Sequence, residues 1–424
     1  MRFKITDSVE YVGVNDKTID LFESQYIVPN GVSYNSYIIK DEKNVVMDTV
    51  DRRATNEWIQ NVDGTMQGEE VDYLVVSHIE PDHSANIELL AKKYPKMKII
   101  LSQKASEMIN QFFDTDLSSR FVVVKEGDII EIGKHKLHFL MAPMVHWPEV
   151  MVTYEQTEKL LFTADGFGKF GTLDTDEEWA CEARRYYFNI CGKYGMQVQL
   201  LLKKVANLDV KVICPLHGPI LKENLEYYIK KYDIWSSYKP EDKGVFIAYN
   251  SIHGNTEKAI EKLEEILKEH GEEKIVVTDL AREDMAEAIE DAFRYDKLII
   301  ATPTYDAGLF PHTELFLREL QHKNYQNRKV GIIENGSWAP MATKCVKDIL
   351  NTMKDIKICD TSVTIRTRMN DTNEKEMIKL ASEILGGEKK WNMFAQYVDI
   401  FMMKSKKEWN LKICQRIGNV LFVE

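Results

Sequence analysis

Apolar positions come in two rhythms along this chain, and the change of rhythm divides it. Residues 33–40 (SYNSYIIK) and 44–50 (NVVMDTV) carry the β-branched and aromatic content of sheet, and residues 41–44 (DEKN) supply a hairpin turn between them. Strand and helix patterns then alternate. YLVVS (73–77) and KIILS (98–102) read as strands, and residues 85–94 and 104–113 as helices. Further strands are predicted at KLHFLMAP (136–143), VMVTY (150–154), KLLFTA (159–164) and VKVICP (210–215), with helices over residues 177–190 and 198–206. The polar stretch 236–244 (SSYKPEDKG), broken by Pro240, reads as a linker. After it the pattern is cleaner. VFIAYN (245–250), KIVVTDL (274–280), KLIIATP (297–303) and KVGIIEN (329–335) are apolar runs separated by amphipathic segments. Such spacing predicts a parallel sheet with helices on both faces and ligand loops at the carboxyl ends of its strands.

Bulk properties narrow the picture without choosing a function. At 424 residues the chain is long enough for two domains, expected here as residues 1–240 and 244–386, with residues 387–424 a lysine-rich, aromatic tail of unassigned role. A net charge of −12 argues against a nucleic-acid partner. No apolar run is long enough for a membrane span, and the opening MRFKITDSVE has no signal-peptide core, so a cytoplasmic location is expected. The cysteines, Cys181, Cys191, Cys214, Cys345, Cys359 and Cys414, form no CxxC pair, which argues against a zinc ribbon or a four-cysteine iron centre.

Chemistry enters at SHIEPDHSAN (77–86). His78, Glu80, Asp82 and His83 follow directly on a buried strand, where alternate side chains converge and the next residues turn back. Three further candidates end or follow apolar strands: His146 in APMVHWPE, Asp165 in LLFTADGFG and His217 in VICPLHGPI. The series resembles the metallo-β-lactamase fold, with Asp48 at that family's early strand end in a supporting position. Glu80 stands where hydrolases of the fold usually place histidine. Glu80, Asp82 and a bridging Asp165 bring three carboxylates, and with a hydroxide they neutralise two divalent ions. Less positive charge is left to acidify water, and the anionic set favours iron or manganese over hydrolytic zinc. His135 and His138, in an exposed-looking strand, and His270, His312 and His322, near helix ends, are read as solvated.

In the second half, YNSIHGNTEKA (249–259) follows a strand and opens a helix. Ser251, Ile252, His253, Gly254, Asn255 and Thr256 form a hydroxyl-rich loop whose N–H groups would hold a phosphate by hydrogen bonds and helix dipole. The loop is neither G-x-G-x-x-G nor a lysine-bearing P-loop. It resembles the flavodoxin phosphate loop, which binds FMN. Thr302, Pro303, Thr304, Tyr305 and Asp306 end the next strand pattern, and Asn335, Gly336, Ser337 and Trp338 end another; Tyr305 and Trp338 are placed to flank a flavin ring.

A His-x-Glu-x-Asp-His metallo-β-lactamase-like domain joined to a flavodoxin-like one resembles the flavodiiron proteins over roughly residues 1–385. HWPEVMVTY, EARRYYFNI, GKYGMQVQ and IENGSWAP extend the likeness beyond the ligands. The resemblance implies an α/β fold, an αββα sandwich followed by a doubly wound parallel sheet. It also implies that His78, Glu80 and His146 hold one iron, that Asp82, His83 and His217 hold the other, and that Asp165 bridges them. Dioxygen reduction to water, nitric oxide reduction to nitrous oxide, or both would follow, with FMN relaying electrons. No rubredoxin domain is fused, so rubredoxin or a similar carrier is the expected donor. A head-to-tail homodimer, or a dimer of dimers, would set one subunit's flavin beside its partner's metals. The alternatives are a binuclear zinc hydrolase with a regulatory flavodoxin module, against which Glu80 counts, and an electron carrier with a vestigial metal domain, against which the complete ligand set counts.

Overall fold

The computed structural model describes residues 1–387. The tail of residues 387–424 lies, but for Gly387, outside the described residues. Two compact units divide the chain. The first holds Met1–Asp242 with Arg282–Asp296 and Phe316–Asn327; the second holds Lys243–Ala281, Lys297–Leu315 and the described chain from Arg328 onward.

In the first unit a seven-stranded sheet runs in the order Phe3–Lys4, Val9–Tyr11, Tyr37–Ile39, Val45–Met47, Tyr73–Val75, Lys98–Ser102 and Phe121–Val124. From Val45–Met47 to Phe121–Val124 the pairings are parallel. A five-stranded sheet follows, in the order Ile129–Glu131, Lys136–Met141, Met151–Glu155, Leu160–Phe162 and Val212–Cys214, with only the last pairing parallel. Successive residues of a strand face opposite sides, and the core uses both. Tyr37, Ile39, Val45 and Met47 pack with Leu137, Phe139, Met151 and Phe162 of the second sheet. Their neighbours Ile38 and Val46 pack with Trp58 and Val62 of the helix Thr55–Met66 and Leu90 of the helix Ile87–Lys93. The unit is the expected sandwich, and the parallel strands deliver their carboxyl ends to one rim.

The second unit carries a parallel sheet in the order Ile275–Asp279, Asp242–Tyr249, Tyr295–Tyr305, Arg328–Asn335 and Ile356–Ile365, with Gly308–Leu309 antiparallel at the side. Numbered along the chain this is the order 2-1-3-4-5, the flavodoxin-like doubly wound arrangement. Its last main strand does not follow from the pattern, because Asp360 and Thr361 interrupt the apolar run (IKICDTSVTI) that forms it.

Three local expectations are corrected. Residues 33–40 are not one strand. Val32–Tyr34 pairs with Val14–Asp16, Tyr37–Ile39 pairs with Val9–Tyr11 and Val45–Met47, and the buried Asn35 and Ser36 between them turn inward. The linker is shorter than read, since Ser236 ends the helix Leu225–Ser236 and Asp242 already belongs to a strand. It is also pinned: Glu241 accepts hydrogen bonds from Trp235 Nε1 at 2.5 Å and Arg184 at 3.0 Å. His135 is buried rather than solvated, and its Nδ1 lies 2.7 Å from Asp41. Among the described residues no helix is long and apolar enough to cross a membrane.

Candidate functional site

Each candidate ligand of the first unit leaves a regular element within a few residues. His78 follows the strand Tyr73–Val75, Asp165 follows Leu160–Phe162, His217 follows Val212–Cys214, and His146 lies in the hairpin between Lys136–Met141 and Met151–Glu155. A four-residue helix, Pro81–Ser84, begins after Glu80 with proline at its first position, where the missing N–H costs nothing. That turn sends His78 and Glu80 to one side and Asp82 and His83 to the other. The structure brings all seven candidates together in two groups, His78, Glu80, His146 and Asp165 in one, and Asp82, His83 and His217 in the other.

Asp165 lies between the groups. Its Oδ2 is 2.9 Å from His146 Nε2 and 3.5 Å from His78 Nε2, while its Oδ1 is 3.3 Å from His83 Nε2 and 3.9 Å from His217 Nε2. Glu80 Oε2 is 3.1 Å from both His78 and His146, and Asp82 Oδ2 is 3.3 Å from His83 and 3.2 Å from His217. The supports behind the rings decide what these contacts mean. His78 Nδ1 is 2.7 Å from the buried carboxylate of Glu149, and His217 Nδ1 is 2.8 Å from the carbonyl of Ser33. Both Nδ1 atoms therefore donate, and a ring that carries only that proton turns a bare Nε2 towards carboxylate oxygens. Acceptors facing acceptors in a buried site need a cation between them. Asp165 Oδ1, Asp82 Oδ1 and His83 Nδ1 are moreover buried without a hydrogen-bond partner among the described residues. The donor set fits two metal ions.

In the absence of a cation, protons would serve. Burial lowers the His146 imidazole, yet Asp165 and Glu80 outweigh it and raise its pKa to about 9. Burial likewise raises Glu80, and the two histidines overcome it, bringing the carboxyl down to about 2. Asp48, with φ of 54°, accepts the backbone N–H of Ser77 at 2.6 Å and so braces the loop carrying His78. Trp147 sets its ring edge against His78 at 5.2 Å between centroids, and Phe22 does the same against His217 at 5.4 Å.

Glu149, Ser33 and Phe22 did not emerge from the sequence as site residues. Glu149 stands three positions after His146, within a stretch already marked as chemistry-bearing, but only the fold brings it to His78, 71 residues away.

In the second unit a cavity of ≈ 470 Å³ opens at the carboxyl ends of the parallel strands, within the range of small-molecule sites. Ser251, Ile252, His253, Asn255, Thr256, Pro303, Thr304, Asp306, Asn335, Gly336, Ser337 and Trp338 line it, together with Ala307, Ala339 and Thr367, which sequence reasoning missed. Three expected residues lie off the wall. Thr302 is buried behind it, bonded to Thr313 at 2.8 Å. Gly254, with φ of +80°, caps the helix Asn255–Glu269, a backbone conformation that side chains resist. Tyr305 turns its ring towards Phe310 instead. Trp338 is 89% exposed, an indole standing at the cavity mouth. Asn335 donates to Thr256 at 3.3 Å and to the Thr367 carbonyl at 3.0 Å, fixing the loops to one another. A neutral hydroxyl-rich loop over a helix N-terminus, with an aromatic at the mouth, fits a flavin mononucleotide.

Comparison with known proteins agrees on both units. Residues 32–218 match the ODP family beta lactamase profile, and residues 246–392 match a flavodoxin domain profile. An uncharacterised protein of Methanocaldococcus jannaschii is 31% identical over 397 residues, covering 91% of this chain and 98% of that protein. The anaerobic nitric oxide reductase flavorubredoxin of Aliivibrio fischeri is 30% identical over 350 residues, covering 80% of this chain and 70% of the relative. Among solved structures, rubredoxin oxygen:oxidoreductase from Desulfovibrio gigas superposes with a TM-score of 0.84 at 25% identity, covering 91% of this chain and 98% of that one. A variant of the flavo di-iron protein from Thermotoga maritima gives a TM-score of 0.83 at 25% identity, with the same coverage. With its metal-ligand pattern, flavin cavity and relatives all in accord, the chain belongs to the flavodiiron protein family of oxidoreductases.

Proposed function

We propose that this protein reduces dioxygen to water, nitric oxide to nitrous oxide, or both, at a di-iron site, with FMN passing on electrons from a separate carrier such as rubredoxin. The observation that carries this reading is Asp165, whose two carboxylate oxygens face two separate His-and-carboxylate groups. When bound, iron and flavin supply the electrons: four, with four protons, for one dioxygen to two waters, or two, with two protons, for two nitric oxides to nitrous oxide and water. The chain supplies placement and charge. His78, Glu80 and His146 would hold one ion, Asp82, His83 and His217 the other, and Asp165 both. The helix start at residues 255–256 would hold the flavin phosphate, and Trp338 would cover the ring. A head-to-tail homodimer, or a dimer of dimers, would complete the electron path by bringing one subunit's flavin to the other's metals.

Nitric oxide reduction is named for the flavorubredoxin relative and oxygen reduction for the Desulfovibrio gigas structure, so the relatives point both ways. The discriminating experiment is anaerobic reduction of the iron- and FMN-loaded protein, followed by turnover with each gas and a rubredoxin donor. Consumption of either gas, with the product stoichiometry above, supports the proposal. A fully loaded protein that consumes neither contradicts it.

A further inference from the structure

The two metal positions are matched in their ligands. Each would take two imidazoles and one carboxylate of its own, with Asp165 lying between them. A difference between the positions is found behind the rings. His217 donates to a neutral backbone carbonyl, that of Ser33, and His83 Nδ1 has no hydrogen-bond partner among the described residues. His78 alone of these three rests on a charge: Glu149 is 1% exposed, and its Oε1 lies 2.7 Å from His78 Nδ1. The same oxygen accepts the backbone N–H of Ile79 at 3.1 Å, and Ser102 Oγ holds the Glu149 carbonyl at 2.7 Å, so the carboxylate is fixed in place. Its second oxygen is buried and unpartnered. A carboxylate that accepts a hydrogen bond from the Nδ1–H of an imidazole pushes electron density to Nε2 and makes the ring a stronger donor. Asp48, another buried carboxyl behind the ligands, accepts from the backbone N–H groups of Ser77 and His78 rather than from a ring nitrogen.

We propose that Glu149 is a positioning residue that makes the metal pair electronically asymmetric: through His78 it stabilises the more oxidised state of the ion held by His78, Glu80 and His146, and sets that ion's reduction potential below its neighbour's. The inference rests on the di-iron reading above and adds to it a site for the difference between the two irons. Only electron density at a ligand changes, and no bond is made or broken.

Glu149→Gln is the direct test, because the amide oxygen can still accept from His78 Nδ1 while the charge is gone. In an anaerobic redox titration of the iron-loaded protein followed by electron paramagnetic resonance, the lower of the two iron potentials should rise in the variant and the gap between them narrow. In a separate titration of the metal-free protein with Co²⁺, one of two sites should weaken, by about 10–100-fold. Unchanged potentials with unchanged Co²⁺ binding overturn the proposal, as does an equal shift of both potentials. If the Gln variant does not fold, Glu149→Asp and Glu149→Asn make the same comparison, differing from one another in charge alone. Wild-type protein that takes up two Co²⁺ but no iron would sink the di-iron reading, and the one-site effect on Co²⁺ would still judge Glu149.

Discussion

Glu80 is held ionised by two histidines in a pocket whose burial works against it, down to a pKa of about 2. A charge retained at that cost in desolvation belongs beside a cation. Replacing it by histidine would remove one negative charge from the pair and leave a set closer to that of hydrolytic zinc sites. Glu80→His should therefore lower iron retention while FMN stays bound, as read by metal analysis and flavin absorbance on the same sample. A variant that keeps full iron would show that charge at position 80 does not select the metal.

Away from the site, Asp291 tests the electrostatics independently. Burial near the end of the helix Met285–Arg294 raises its carboxyl to about 6, although Arg294 and Arg184 pull the other way. A folded pKa above the unfolded one means that ionisation favours unfolding, so the penalty is absent below about pH 4, grows to pH 6 and is complete above it, at roughly 2–3 kcal/mol. Asp291→Asn should raise the thermal midpoint at pH 8 and leave it unchanged at pH 4. An equal effect at both pH values would exclude this cause. Strand-end His, Asp and Glu residues were legible in the sequence because their spacing along the chain carries the signal. Glu149 was not, because its meaning is a contact between distant segments.

At the scale of elements, loops rather than strands hold the geometry. Asn35 is fully buried and donates to the carbonyls of Pro215 at 2.8 Å and Gly218 at 2.7 Å, while accepting from Tyr11 at 3.0 Å, so it ties down both sides of His217. Asn35→Leu would leave these partners unpaired in the interior, a loss of about 3 kcal/mol and a fall of about 6–12 °C in the melting midpoint. The variant should also bind its second metal ion more weakly, which a Co²⁺ titration would register. A wild-type melt would show that the network is not structural. The periodicity that reveals strands also conceals this feature: residues 33–40 look like one β run, and the buried Asn35–Ser36 turn inside it follows from what the His217 loop needs. The helix of residues 177–190 was legible to its midpoint; the α-helix runs over Trp179–Tyr186 and then widens into a π turn at Tyr187–Cys191, where tertiary packing overrides local preference.

For the whole molecule, the defining property is that one chain carries a binuclear metal site and a flavin cavity in separate compact units. Both folds were legible from the rhythm of apolar runs and from the residues at strand ends, since the parallel strands of each unit bring loops to one rim. The division of the chain was less so. Arg282–Asp296 and Phe316–Asn327 lie far past the linker in sequence and yet pack with the first unit, where Arg184 meets Glu290 at 2.5 Å. A boundary read from composition marks where the chain crosses over, whereas packing decides which segments belong together. The most direct test of the central claim is metal and flavin analysis of the purified protein together with its visible spectrum. The account predicts about two iron atoms and one FMN per chain, with a flavin spectrum; zinc without iron would contradict it.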